Sequence, residues 1–328
     1  MSPRILIAGG WGVVGGAVAR LIREAGHDIE LVLGGRNPES GAELAKTLGA
    51  HTVRLGVNDP APGLAAAGPV DLVIAALQDP GDNLLMAALR AGAGHIGIVR
   101  GPGTMASTAI AAAALARRPA LMLGHWQAGV MTVAALATAR AFAEVERVEM
   151  AALYDYADPI GPMTMADAGG FVGQAQIRRG GAWTYLDATQ HGRSVARPGQ
   201  PVFDALPMSV LDTPAVAAVT GAPDVRFDLG TGESRGTAAG GGASHDIYID
   251  VTGRDASGAA SARRTIVSDP AGQAHLTALG VLIAAERVLG LDGAPPPAAG
   301  LHFPESVLDI DRALARLAAF GVRIEGAA

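Results

Sequence analysis

The spacing that carries the most chemistry stands at the start of the chain. Gly10, Gly12 and Gly15 follow the pattern G-x-G-x-x-G, and Gly9, Gly12 and Gly15 also satisfy G-x-x-G-x-x-G. Such a set lets the backbone turn tightly, approach a pyrophosphate closely and seat the next helix tight on a sheet. The orphan N–H groups of that helix's first turn then face phosphate oxygens, and its dipole favours their charge. The chemistry indicated is dinucleotide binding. Because glycine makes up 45 of 328 residues, the spacing needs its context to count.

Proton transfer falls to few side chains. The chain has no cysteine, which excludes disulfides, thiolate nucleophiles and thiolate metal sites. Lys46 is the only lysine, and none of Tyr154, Tyr156, Tyr185 or Tyr248 has a lysine four residues on, so the Tyr-x-x-x-Lys pair of short-chain reductases is missing. Proton donors must therefore be His, Tyr, Asp or Glu. His125 is the first catalytic candidate, because it stands just beyond a predicted strand where the chain leaves its first domain. Tyr154 and Tyr156 follow, sharing one face by alternation while Asp155 takes the other. Asp79, Trp126, Gln127, Phe171 and Trp183 are candidates for the substrate pocket. A structural reading competes for each of these, as a turn aspartate, a packed histidine or core aromatics. The eight histidines show no close pair at metal-ligand spacing, so no metal is expected.

The elements that must position these residues are legible in the hydropathy pattern. Arg4-Ile5-Leu6-Ile7-Ala8 reads as a strand ending at the glycines, and apolar residues at 13, 14, 17, 18, 21 and 22 mark one face of a helix that ends at Gly26. Strands are predicted at 4–8, 29–34, 51–54, 70–76, 95–99 and 120–123, alternating with amphipathic helices. That is the signature of a parallel sheet covered on both faces. A helix is predicted over 130–143, followed by alternating runs such as Arg147 to Tyr156 and His245 to Thr252. Gly230 to Ser244, dense in Gly, Ser, Thr and Ala, reads as a flexible surface loop, with a mobile lid as the other reading. A helix over 272–289, the turn at Pro295-Pro296-Pro297 and a helix near 309–320 close the chain. The expected fold is α/β. An N-terminal Rossmann doubly wound parallel sheet occupies 1–124, and a second α+β domain on a mixed or antiparallel sheet, for substrate and dimerisation, occupies 125–270. The C-terminal helices, 271–328, are expected to pack back on the Rossmann domain.

Cofactor choice is read at the end of the second strand, where an NAD site places Asp or Glu to accept from the ribose 2′-hydroxyl. Here the strand ends Leu33-Gly34-Gly35-Arg36-Asn37, with no acid. Arg36 is suited to clamp a 2′-phosphate, with Asn37 as N-cap and Pro38 opening the next helix. NADP (NADPH) is therefore the expected cofactor. Its contacts are predicted at Gly9, Gly10, Trp11, Gly12, Val13, Val14, Gly15, Gly35, Arg36 and Asn37, with Ala76, Leu77 and Gln78 at the rim of the strand that follows 70. A net charge of −6 argues against nucleic-acid and anionic-membrane partners. No apolar run nears the roughly 20 residues of a membrane span, and no signal segment precedes the first strand. A cytoplasmic protein with a small-molecule substrate is expected, and a homodimer, since the apolar strands of the second domain need cover.

These residues resemble the saccharopine dehydrogenase-like (saccharopine reductase-like) family. The resemblance rests on ILIAGGWGVVGGAVARLI, on LVLGGRNPE, on VDLVIAAL leading to Ala91-Gly92-Ala93-Gly94-His95-Ile96, on GHWQAGVMTVAALA, and on the tail Leu301-His302-Phe303-Pro304-Glu305. It implies a Rossmann domain, an α/β substrate and dimerisation domain, and NAD(P)-linked redox chemistry at a carbon–nitrogen bond. Two positions depart from the family. Gly97 stands where an Asp is expected, and Gln127-Ala128-Gly129 stands where Asp-Pro-Gly is common. The lost carboxylates point away from an amino-dicarboxylic acid toward a less polar substrate. The expected activity is imine reduction or the reverse amine oxidation, with a ketone reductase and a non-catalytic NADP-binding sensor or scaffold as alternatives.

Overall fold

A computed structural model describes residues 2–98, 102–161 and 173–326. Phe171 lies outside the described residues. The chain forms two compact units, residues 1–124 with 277–308, and residues 125–276 with 309–328.

In the first unit the alternation of apolar runs and amphipathic helices gives β1 (Arg4–Ala8), α1 (Val13–Glu24), β2 (Glu30–Gly35), α2 (Ala42–Leu48), β3 (His51–Arg54), α3 (Ala61–Ala67), β4 (Leu72–Ala75), α4 (Asn83–Arg90), β5 (Gly94–Gly97), α5 (Met105–Leu115) and β6 (Pro119–Met122). The strands pair in parallel in the order β6-β5-β4-β1-β2-β3, and a short strand at Gly300–His302 adds beside β6 to make seven. Strands β1, β4 and β6 are buried almost throughout, as a parallel sheet covered on both faces requires. The strand order reverses between β1 and β4, which makes their carboxyl ends the switch point where ligands bind in open sheets. The seventh strand escaped the sequence pattern because three half-buried residues carry no readable period.

The second unit begins with α6 (Val130–Ala139), all but one of whose residues are buried. It continues through β7 (Glu144–Tyr154), β8 (Gln174–Arg179), β9 (Ala182–Asp187), β10 (Arg193–Arg197), β11 (Gln200–Pro207), α7 (Asp212–Thr220), β12 (Asp224–Thr231), α8 (Arg235–Ala238), β13 (His245–Arg254) and β14 (Ala260–Asp269). Helix α9 (Gln273–Leu289) carries the chain back into the first unit. After β15 (Gly300–His302) and α10 (Pro304–Val307), helix α11 (Ile310–Ala319) and β16 (Arg323–Glu325) complete the second unit. Its nine-stranded sheet is mixed, because β12 runs parallel to β7 while β7–β13, β13–β14 and β14–β16 are antiparallel.

The C-terminal segment departs from the sequence expectation. Residues 309–328 join the second unit, where Arg140 pairs with Asp311 at 2.6 Å and β16 pairs with β14. Helix amphipathicity shows that a face is buried but not against which sheet, and a three-residue edge strand gives no warning of its partner.

The glycine-rich segment after β12 is likewise ordered. Buried Asp155 accepts hydrogen bonds from the Ser234 N–H at 2.9 Å and the Thr237 hydroxyl at 2.6 Å. Asp246 accepts from the Arg235 N–H at 2.7 Å and from the hydroxyls of Ser244 and Ser268. A Cβ on Gly236 would stand 2.2 Å from the Gly242 carbonyl oxygen, so the small residues are there for close backbone packing. Burial works against ionisation of Asp155, but bonds from Thr237, Ser234 and Ala157 hold its carboxyl down to about 2. Nearby Asp158 goes the other way. Burial, with the charges of Asp269 and Asp155, pushes it up to about 6 despite the Gln273 N–H that it accepts.

This difference predicts a pH effect. With its folded value raised from 3.8 to about 6, Asp158 holds its proton more tightly folded than unfolded. Its contribution is therefore present below the unfolded value and is lost as pH rises through the folded one. Thermal unfolding of wild type and Asp158→Asn from about pH 4 to about pH 7 should show the variant gaining on wild type as pH rises. A gap that stays constant across that range overturns the assignment.

Candidate functional site

In the first unit, β1 ends in a turn that only glycine can build. Gly9 has φ +78°, and its N–H donates to the Gly34 carbonyl at 2.8 Å. A Cβ on Gly9 would meet the Ala76 carbonyl oxygen at 2.7 Å, and one on Gly10 the Ile7 carbonyl oxygen at 2.8 Å. At Gly15 it would stand 2.1 Å from the Gly9 carbonyl oxygen. Gly12 is the N-cap of α1 and offers no side chain to cap the first-turn N–H groups. The turn thus gathers Gly9, Gly10, Gly12 and Gly15 with Ala76 and Leu77 at the end of β4.

Trp11 explains two further glycines. A Cβ on Gly35 or on Gly41 would each come within 2.4 Å of its indole ring, so the ring lies against bare backbone at the end of β2. Beyond Gly35, Arg36 and Asn37 are exposed. Asn37 is the N-cap of the turn Pro38–Gly41 that leads into α2, but its side chain makes no capping bond. Gln78 is exposed on the rim after β4, whereas Asp79 is buried and accepts the Leu85 N–H of α4 at 3.1 Å. Gly97 ends β5 without a carboxylate.

In the second unit, His125, Trp126 and Gln127 join a buried polar cluster that the sequence reading only half found. Asp212 is fully buried and accepts the Trp126 N–H at 2.6 Å and the Thr132 hydroxyl at 2.6 Å. Burial pushes the Asp212 carboxyl up, and the charge of His125, foremost among the opposing effects, pulls it down. His125 is itself buried. The Trp126 indole N–H donates to His245 Nε2 at 3.1 Å, and Gln127 Nε2 lies 3.0 Å from the same nitrogen. Because an indole can only donate, His245 Nε2 must accept and its proton must sit on Nδ1. Burial agrees, pushing His245 down to about 3 and keeping the ring neutral.

The backbone here is strained. Gln127 and Ala128 take φ of 51° and 52°, a left-handed pair of non-glycine residues, before Gly129 at 93°. Asp212, Thr132 and His245 were missed because they lie 80 or more residues from the loop, or inside another element, and a buried Asp opening a helix looks like any N-terminal acid. The signal available in hindsight is the placement of acid and histidine at element ends.

Tyr154 and Tyr156 do come together, with rings 5.4 Å apart in edge contact. The Tyr154 hydroxyl donates to the Asp158 carbonyl at 3.2 Å, and burial raises its phenol above the ordinary value. Tyr156 is 78% exposed. Trp183 is partly exposed beneath the Arg178 guanidinium, 5.3 Å away, and shares no ring contact with Trp126, whose neighbours are Phe227 and His245. Among the described residues no group of acids and histidines is arranged to hold a metal, and no helix is long and apolar enough to cross a membrane.

No protein-family model matches the sequence, and no curated protein sequence matches it. Solved structures do. Saccharopine dehydrogenase (L-Glu forming) from Saccharomyces cerevisiae is similar over 99% of both chains, with a TM-score of 0.71 at 12% identity. GenD2 of gentamicin A biosynthesis, solved in complex with NAD, matches 99% of this chain and 96% of its own at a TM-score of 0.52 and 15% identity. Scyllo-inositol dehydrogenase from Lactobacillus casei, solved with NAD(H) and scyllo-inositol, matches 96% of each chain at 0.51 and 12%. The chain has the fold of saccharopine dehydrogenase, which agrees with the resemblance read from the sequence.

Two neighbouring glycines test the turn. A Cβ at Gly16 would find its closest neighbours at 3.4 and 3.5 Å, ordinary contact. Gly16→Ala should therefore raise helix stability by up to about 1 kcal/mol. Gly15→Ala should instead lower stability by about 1–3 kcal/mol, since something must move. Chemical denaturation of both variants checks this, and equal effects would contradict the packing described.

Proposed function

We propose that this chain is an NADP-dependent oxidoreductase that reduces an imine, or oxidises the corresponding amine, on a small and rather apolar substrate. The observation that carries the reading is the glycine cradle at the end of β1, where added Cβ atoms would collide with backbone at Gly9, Gly10 and Gly15. Bare backbone, a helix start and the switch point of a parallel sheet together suit a pyrophosphate. The bound nicotinamide would supply or accept the hydride. Gly10, Gly12 and Gly15 would hold its phosphates, and Ala76 and Leu77 would flank the turn.

The choice of NADP rests on the end of β2. No carboxylate stands there to accept from a ribose hydroxyl or to repel a phosphate, while Arg36 and Asn37 are exposed and outside other bonds that would hold them back. The carbon–nitrogen chemistry rests on the shared fold with saccharopine dehydrogenase. Gly97 and Gln127 in place of carboxylates favour a substrate less polar than an amino-dicarboxylic acid.

His125 is the donor on this reading, because it is a buried imidazole whose charge acts on the Asp212 carboxyl. Tyr154 suits the task less, with its hydroxyl committed to the Asp158 carbonyl and its acidity reduced by burial. Trp126 and Gln127, tied to His245, present a fixed surface beside that donor.

Two experiments test these assignments. Arg36→Ala should weaken NADPH binding by about 10- to 150-fold, the loss of one charged hydrogen bond, and leave NADH binding nearly unchanged. Equal losses for both cofactors, or a wild-type preference for NADH, would refute NADP. With cyclic imines as substrates, His125→Asn should lower turnover by about 10²-fold or more without changing cofactor affinity, while Tyr154→Phe and Tyr156→Phe stay near wild type. Wild-type turnover in His125→Asn removes it as the donor.

A further inference from the structure

A second feature of the sheet in residues 125–276 lies outside the cluster around His125. Where β7, β8 and β12 meet, a cavity of about 460 Å³ is lined by Arg147, Arg178, Arg179 and Arg226, with Glu149 and Asp224 as the acids among the described residues that line it. Four guanidinium groups against two carboxylates leave an excess of positive charge, in a chain whose net charge is −6.

The two acids are already engaged. An Asp224 oxygen accepts the Gly180 N–H at 2.8 Å, and Glu149 stands 4.0 Å from Arg193. The register sets Arg147 opposite Asp224 and Arg226 opposite Glu149. Neither opposition becomes an ion pair. Arg226 turns instead to fully buried Asp228 and donates to the His191 carbonyl at 3.0 Å, which fixes its orientation. Arg147 and Arg179 form no ion pair among the described residues. Arg178 is held over the Trp183 ring, and its buried Nε has no hydrogen-bond partner. A buried donor left unpaired is a cost to folding, and several uncompensated guanidinium groups around one cavity add mutual repulsion.

We propose that this cavity binds a small ligand bearing oxyanions, a phosphorylated or polycarboxylate metabolite. Guanidinium forks match carboxylate and phosphate oxygens in pairs, which a cation or a neutral ligand cannot use. The volume falls within the range of small-molecule sites and exceeds what a single inorganic ion fills. All the lining residues belong to the second unit, so the site shares no residue with the glycine turn and its test does not depend on the oxidoreductase reading.

Calorimetric titration at fixed ionic strength, with inorganic pyrophosphate and with citrate as probes, tests this. At least one probe should bind wild type saturably with unit stoichiometry. Arg147→Ala/Arg179→Ala should weaken that binding by about 10-fold or more, the loss of charged hydrogen bonds. Both side chains are exposed and removing them relieves repulsion, so the double variant should unfold at or slightly above the wild-type midpoint. Arg178→Gln should weaken the same probe, and Arg36→Ala should not. Pyrophosphate binding alone identifies a phosphorylated ligand, and citrate binding alone a polycarboxylate. No saturable binding by either probe overturns the proposal. So does binding that survives the arginine variants, or that is lost in Arg36→Ala and therefore belongs to the first unit.

Discussion

The first unit depends on one close approach. The carbonyl oxygen of Gly9 lies where a Cβ of Gly15 would be, 2.1 Å from its ideal position. That contact sets how tightly α1 follows β1. With α1 so placed, Gly9 and Gly10 can both donate to the Gly34 carbonyl, which ties the turn to the end of β2. The Ala76 carbonyl closes the other side from β4. Three strand ends and one helix start are thus locked by the absence of three side chains, at Gly9, Gly10 and Gly15. Trp11 then fills the space above Gly35 and Gly41, so these two glycines serve packing.

The second unit is held by a different device. Aspartates buried at 0–7% exposure accept hydrogen bonds from segments far away in sequence: Asp155 from Ser234 and Thr237, Asp246 from Arg235, and Asp212 from Trp126 and Thr132. A buried carboxylate is expensive unless such donors surround it, so each one strongly favours a single loop arrangement. Glycine density after β12 looks like freedom in the sequence. In the folded chain those residues are small because two carboxylates draw the loop in and its strands of backbone nearly touch at Gly236 and Gly242.

This contrast explains what the sequence disclosed. Periodicity located the first six parallel strands within a few residues, because a strand covered on both faces is written locally as an apolar run. The mixed sheet was recognisable from alternation in β7 and β13, but its parallel β7–β12 pairing was not, since partner choice leaves no local mark. The same holds at the candidate site. His125, Trp126 and Gln127 stood out by their position after β6, whereas Asp212 and His245 are 80 to 119 residues from the groups they bind. Hydrogen-bonding partners at that distance are a property of topology.

The strain at Gln127 and Ala128 shows how these two levels meet. Each residue held in the left-handed region costs about 1–3 kcal/mol and survives only where its surroundings over-determine it. Here the surroundings are on hand. Asp212 grips the Trp126 N–H from one side, and His245 receives the Trp126 indole N–H and faces the Gln127 amide from the other. Glycine at 127 or 128 would adopt the same backbone without strain, so local stability does not account for the residues present. What holds glutamine at 127 is tertiary: its side-chain amide meets a histidine that burial keeps neutral.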